Sequence, residues 1–412
     1  MDTLLNMSSP TQQGCNDHDV MLLLRQFATN ESDSKWSSLT GGNINSSCLE
    51  LNGSHEEFHG VRHHDYQLLV HEIGKDVYAY MIPVIFVVGI LGNAISLKVF
   101  TSKVMRRLSS SLYLVALSVS DICVLLTYVL FDWLNHGLRR WPGGYRLPLI
   151  NHQGVCQVFL YVSYLFRIIS AWVIVIFAVE RYLAVCWPMQ RKRYCTKSLA
   201  GKLIAAVVLF SAVTCSYKPI LSEVTQTKEK ICTRNSKYHQ LNFILDSIYG
   251  LIITAIPSLV IMFLNLPILR RLLSWDKART KSRLVLKENR IRLEFTVIML
   301  AISSCFICLN LPYFIIWCRQ FQQSLNPGSP TLADRISGEL YITKTIFCIN
   351  YCINFFVYCL TGAYYRREIK SMFKYYFKRK SLEAEANNAQ LPVDHCRSDD
   401  SSSSPVCSCG MR

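Results

Sequence analysis

Charge is scarce in this chain of 412 residues: Asp, Glu, Lys and Arg make up 17% of it, against 51% hydrophobic residues, and the mean hydropathy is +0.22. A soluble chain so apolar would have to divide its apolar runs among several domains, so the composition favours an integral membrane protein. Acid is scarcer than base, 28 residues against 44, for a net charge of +16. That shortage alone would suggest a nucleic-acid surface. The cations, however, sit in short loops between apolar runs of spanning length, which is the pattern of membrane topology, and nucleic acid is set aside as a partner. No cleaved secretory leader is expected either, because residues 21–24 are too short for a signal core and follow Asp17 and Asp19. The first span is therefore expected to act as an uncleaved signal. The two halves show no internal symmetry, which argues against a transporter built from repeats. Cysteine is plentiful at 17, but most lie inside apolar runs and behave as small hydrophobes rather than as a disulfide scaffold.

The longest feature present runs from Gly154 to Pro188, nearly all apolar and carrying Glu180-Arg181-Tyr182 near its far end. At helical rise, Cys156 and Arg181 stand roughly 37 Å apart, more than the ~30 Å hydrocarbon thickness, so the two lie on opposite sides of the membrane. An acid-base-aromatic triplet is costly in lipid unless it faces a bundle interior or the aqueous interface. On these residues the chain resembles the rhodopsin-like family of seven-helix G protein-coupled receptors, over about residues 78–378. The resemblance implies an all-α membrane fold, a seven-transmembrane bundle with a short amphipathic eighth helix. It also implies signalling through heterotrimeric G proteins and no enzymatic activity.

In order, residues 1–77 form a polar tail with glycosylation sequons at Asn6, Asn30, Asn45 and Asn52, which places it outside the cell at the plasma membrane. Within it, His55-Glu56-Glu57-Phe58-His59 matches a zinc-protease pattern. Gly53 and Gly60 bracket the motif and no apolar stripe supports a helix, so it reads as solvated tail rather than metal site. Cys15 and Cys48 are left to pair with each other or with Cys318. Seven spans occupy residues 78–362, at 78–100, 109–134, from 156, 199–220, 241–269, 293–317 and 340–360. Arg191, Lys192, Arg193, Lys197, the cluster at 270–292 and the run at 366–380 then all fall on the cytoplasmic side. Residues 363–378 alternate aromatics and bases at helical spacing, as an amphipathic helix does along membrane lipid. Residues 379–412 read as a disordered tail, whose Ser398 and Ser401 to Ser404 suit a receptor kinase and arrestin.

The resemblance assigns roles to particular residues. Cys156 would bridge to Cys232 in the second outer loop and clamp it over the mouth of the bundle. Asp121, Ser170 and Asn350 would hold a sodium ion, with Asn93 and Asn354 in the same layer; the alternative is Asp121 hydrogen-bonded to Asn93 and Asn354 without a cation. No other cofactor is implied. Glu180, Arg181, Tyr182, Phe306, Asn310, Pro312, Asn354 and Tyr358 would couple to the G protein. Two of these motifs depart from the family: Phe355 replaces the seventh-helix proline, predicting a straighter helix, and Asn310 replaces a tryptophan, leaving a polar group in need of a partner. Arg292 occupies the place of the family's sixth-helix acid. Glu294 follows two residues on, turned away by about 200°.

For the ligand, Ser163 stands where amine receptors place an Asp, and Cys348 where opsins place a Lys. The upper bundle offers instead Asp132, Asp246 and Glu339 against Arg167, Lys218 and Lys344, with Trp133, Tyr164, Tyr249 and Tyr341 nearby. Separated charges of both signs among aromatics suit a short extracellular peptide, with internal salt bridging as the competing reading. Residues 353–368 resemble invertebrate neuropeptide receptors of the FMRFamide-related and thyrotropin-releasing-hormone-like groups.

Overall fold

The apolar runs are continuous helix in the computed structural model, which describes residues 55–103, 105–144, 152–224, 232–279, 287–325 and 330–389. Residues Met1–Arg62 form a unit separate from His63–Arg412, and the bundle belongs to the second. Its helices are α1 (His55–Phe100), α2 (Ser109–Arg140, with a π turn at Leu125–Val129), α3 (Val155–Cys186) and α4 (Lys197–Cys215, continued by Tyr217–Ile220). Then come α5 (His239–Gly250, a π turn at Leu251–Ala255, then Ile256–Arg279), α6 (Lys287–Leu325), α7 (Pro330–Thr361) and α8 (Ala363–Ala389). Among the described residues, seven helices are long and apolar enough to cross a membrane. The fold expected from sequence, an all-α bundle of seven spans, is the one observed.

Polarity is arranged inside out, as a lipid solvent requires. Leu209, Phe263 and Leu360 are among the most exposed residues, while Asn93, Asp121, Arg167, Ser170 and Asn354 are buried. α3 is the most enclosed span and touches α2, α4, α5 and α6; α4 is the least enclosed. In α5 the π turn ends just before Pro257, whose ring would otherwise clash with the carbonyl of Ile253.

At one end of α3, Gly154 takes φ +88°, a conformation that glycine alone adopts without strain, and its N–H donates to Gln157 Oε1 at 2.6 Å. The same turn carries the Cys156–Cys232 disulfide, which ties α3 to a two-stranded hairpin, β1 (Ser222–Val224) against β2 (Cys232–Arg234). Gln157 Nε2 donates to the Ser222 carbonyl at 3.2 Å, so the hairpin is docked by hydrogen bonding as well as by sulfur.

Several helices run past their apolar cores. α1 starts at His55, so the motif expected in non-helical tail lies instead in the first turns of a helix. One glycine costs a growing helix only about 1 kcal/mol, and extending a nucleated helix is cheap, so Gly60 does not stop it. Beyond the lipid core, Arg140 pairs with Asp76 at 2.8 Å and with Glu72, holding α1 against the end of α2. The side chains of His55, Glu56 and His59 lie outside the described residues, as do the four sequons, Cys15 and Cys48; Cys318 carries a free thiol. α8 continues to Ala389 rather than ending at 378. α7 is unbroken across Phe355, which packs on Gly92: a Cβ on that glycine would stand 2.8 Å from Phe355 Cβ. The proline's place is thus filled by a contact between α1 and α7.

Candidate functional site

Three buried polar layers succeed one another along α3. At its Cys186 end, Arg181 Nη2 stands 3.2 Å from Glu180 Oε2, with both side chains at most 5% exposed. Glu180 is itself tied to the start of α2, because Ser109 Oγ donates to its Oε1. The Arg181 guanidinium lies 5.7 Å from the centroid of Phe177, which stacks on Tyr113. Tyr182 accepts from Trp187 Nε1 at 3.5 Å. Tyr358 is enclosed by Phe100 at 5.0 Å and Tyr365 at 5.3 Å, and the Tyr365 hydroxyl meets Ser96 Oγ at 2.8 Å. Burial pushes the Tyr365 hydroxyl above the usual tyrosine range.

Glu294 has a different job from any expected of it. Its Oε1 accepts the backbone N–H of Tyr364 at 2.6 Å and of Tyr365 at 3.5 Å, so a side chain of α6 caps the N-terminus of α8. A carboxylate there also meets the positive end of the helix dipole. Glu294→Ala should cost about 1 kcal/mol of local stability and speed hydrogen exchange at Tyr364 and Tyr365, with Glu294→Gln intermediate. Unchanged exchange in Glu294→Ala would show that α8 is held by its packing alone.

Midway along α3, Asp121 accepts from Ser170 Oγ at 2.6 Å and from Asn354 Nδ2 at 2.7 Å, joining α2, α3 and α7. Asn93, which the cation-free alternative would bond to Asp121, instead donates to the carbonyls of Gly89 at 2.9 Å and Tyr351 at 2.8 Å. Asn350 is buried but forms no hydrogen bond to Asp121 among the described residues. The oxygens of Asp121 and Ser170 are hard donors of the kind that sodium takes. Farther up α6, Asn310 finds its partner within its own helix, donating to the Phe306 carbonyl at 2.6 Å, with Pro312 following inside α6.

The third layer holds the charges expected to meet a ligand, and the structure pairs most of them with one another. Lys344 Nζ is 2.5 Å from Asp132, which also accepts from Tyr78 and lies 3.5 Å from His136. Lys218 Nζ is 2.6 Å from Asp246, with the Tyr217 hydroxyl 2.9 Å from the same oxygen. Arg319 is 3.1 Å from Glu339. Trp133 donates to the Ala79 carbonyl at 2.8 Å. Of the two readings of these charges, internal salt bridging is the one observed at Asp132, Asp246 and Glu339: each has a cation of its own. Sequence reading missed Tyr78, Tyr128 and Tyr217, since aromatics in apolar spans carry no sign of which way they face.

Arg167 is different. It is 7% exposed, and its guanidinium stands 4.2 Å from the Tyr128 ring centroid, 4.4 Å from Tyr164 and 5.2 Å from Tyr249. Its Nε has no hydrogen-bond partner, and no carboxylate pairs with it among the described residues.

A family profile described as "7 transmembrane receptor (rhodopsin family)" matches residues 92–358. Among curated relatives, the RYamide receptor of Tribolium castaneum is 26% identical over 135 residues, 32% of this chain and 34% of that protein. The thyrotropin-releasing hormone receptor of Gallus gallus is 32% identical over 127 residues, 31% of this chain and 30% of that protein. The chain thus matches about a third of the length of these two. The type-1 angiotensin II receptor of Meriones unguiculatus is 25% identical over 341 residues, 80% of this chain and 91% of that protein.

Proposed function

The chain belongs to the rhodopsin family of seven-transmembrane receptors, and from that membership we propose that it is a plasma-membrane receptor for an extracellular neuropeptide. It is a multi-pass membrane protein, and its family is one of receptors rather than enzymes, for which signalling through G proteins is implied. The observation that carries the peptide reading is the third polar layer. The ring of tyrosines around Arg167, flanked by three ion pairs that are closed among themselves, gives a broad aromatic and polar wall between helices in place of the single free carboxylate a small amine requires. The printed names of two relatives, receptors for RYamide and for thyrotropin-releasing hormone, point the same way.

On this reading the polar tail is extracellular, with glycans at Asn6, Asn30, Asn45 and Asn52. The bridged hairpin roofs the ligand entrance, and the Ser-rich tail receives a kinase and arrestin. A sodium ion would be held by Asp121 with Ser170 and Asn350, and would supply the positive charge a buried carboxylate needs. Arg181 reaches the G protein when α3 and α6 separate.

The test is a screen of cells expressing the receptor against a neuropeptide library, read as calcium and cyclic nucleotide. A response to a peptide, absent from untransfected cells, is expected. Silence across the library at normal surface expression, with a response to a non-peptide collection, would reject the peptide assignment.

A further inference from the structure

Burying a cation in a membrane bundle is costly, and every other buried cation of the upper layer has its carboxylate: Lys218 has Asp246 and Lys344 has Asp132. Among the described residues Arg167 has ring faces and no carboxylate. Tyr128 from α2, Tyr164 from α3 and Tyr249 from α5 surround the guanidinium at 4.2 to 5.2 Å. Such contacts offset part of the desolvation of a cation but accept none of its hydrogens in plane. Nε is buried without an acceptor. Among the groups around it, the Tyr249 hydroxyl is turned to the Tyr164 carbonyl, to which it donates at 3.1 Å. Among the described residues Arg167 is thus a buried cation without a carboxylate, at a point where three helices converge.

Resting on the reading of this chain as a peptide receptor, we propose that Arg167 docks a carboxylate of the ligand, a free C-terminus or an Asp or Glu side chain next to an aromatic group. A planar guanidinium meets a carboxylate through two parallel hydrogen bonds, and the pair removes the uncompensated charge. A carboxamide brings one acceptor and no charge. The tyrosine rings around Arg167 provide the apolar walls for the aromatic neighbour.

The subsite is tested without the peptide, on purified full-length receptor in nanodiscs. Thermal stability is followed against 4-hydroxyphenylacetate and its uncharged analogue 4-hydroxyphenylacetamide, up to about 10 mM, the range in which one charge-assisted contact holds a small molecule. The acid should raise the melting temperature saturably and the amide should not. In Arg167→Gln the acid concentration needed should rise by at least about tenfold. Arg167→Met should raise the melting temperature of the unliganded receptor, because a buried charge without a partner is removed. Equal stabilisation by acid and amide, stabilisation by neither, or an unaltered acid response in Arg167→Gln would overturn the proposal. So would a lower melting temperature in Arg167→Met, which would make the guanidinium a structural clamp on three rings.

Two further arms identify the carboxylate. A peptide agonist from the screen is remade with its C-terminus amidated, or with its Asp and Glu replaced by Asn and Gln. One of the two changes should weaken it by about 10- to 100-fold at the wild-type receptor and not at Arg167→Gln; no loss in either arm refutes the carboxylate. A screen without a peptide agonist would count against the peptide reading and leave the result with the two phenylacetates standing.

Discussion

Glu180→Gln should raise ligand-independent nucleotide exchange by about tenfold, since losing a charge-assisted contact worth about 1.5 kcal/mol shifts a two-state balance by roughly that factor. Adding Arg181→Ala should bring exchange back to the wild-type floor or below. The reason lies in what holds Arg181 at rest. Glu180 is its one acidic partner among the described residues, at 3.2 Å, and Glu180 is in turn anchored on α2 through Ser109. The sixth-helix residue that could have shared the task, Glu294, is occupied in capping α8. Neutralising Glu180 therefore leaves Arg181 with the Phe177 ring and no anion. In the double variant the group that would meet the G protein is gone, while the outer layers, and with them ligand affinity, stay within a few-fold apart from the share contributed by coupled G protein. Basal exchange unchanged in Glu180→Gln at equal surface expression, or elevated exchange surviving Arg181→Ala, would each refute this assignment.

Lys218 and Asp246 carry the largest expected effect on stability. Both are buried, at 3% and 7% side-chain exposure, and their charged atoms are 2.6 Å apart; Lys218 also lies 4.1 Å from the Tyr164 ring. Removing one member of such a pair strands the other charge, at a cost of about 3–5 kcal/mol, whereas replacing both by apolar residues of similar size can be neutral. Lys218→Met and Asp246→Asn should therefore each lower the melting temperature of the purified receptor markedly, and Lys218→Met with Asp246→Leu should recover most of the loss. The same set separates an internal tie between α4 and α5 from a ligand contact. A ligand contact predicts that Asp246→Asn weakens binding without destabilising the empty receptor, and that outcome would dismiss the internal role.

Much of the inner layers was legible in advance because it depends on one helix at a time. Ser170 and Arg181 share a face of α3 by helical phase alone, and the pairing of Asp121 with Ser170 and Asn354 appears where the motifs place it. Asn93 does not join that contact, as the cation-free alternative had it, because its amide is already spent on backbone carbonyls of α1 and α7. The upper layer was least legible. The π turn at Leu125–Val129 rotates the remainder of α2 by roughly 100° relative to straight helical phasing from Asp121, and nothing in the residues Leu125 to Val129 announces it. Helix ends were also misjudged, at His55 and at Ala389, because hydropathy marks where a helix leaves lipid and not where its hydrogen bonding stops.

The sequence by itself determined the seven spans, the basic loops between them and the cysteines at positions 156 and 232. Each of these follows from apolar length or from charge placement read along the chain. Only the tertiary structure decided which acid meets which base, that Glu294 caps α8, and that Arg167 meets three rings and no carboxylate. The physical reason is that a membrane helix is apolar both toward lipid and toward its neighbours, so periodicity does not reveal its rotation. Partners across helices are set by that rotation and by lateral order, which the chain specifies only through packing.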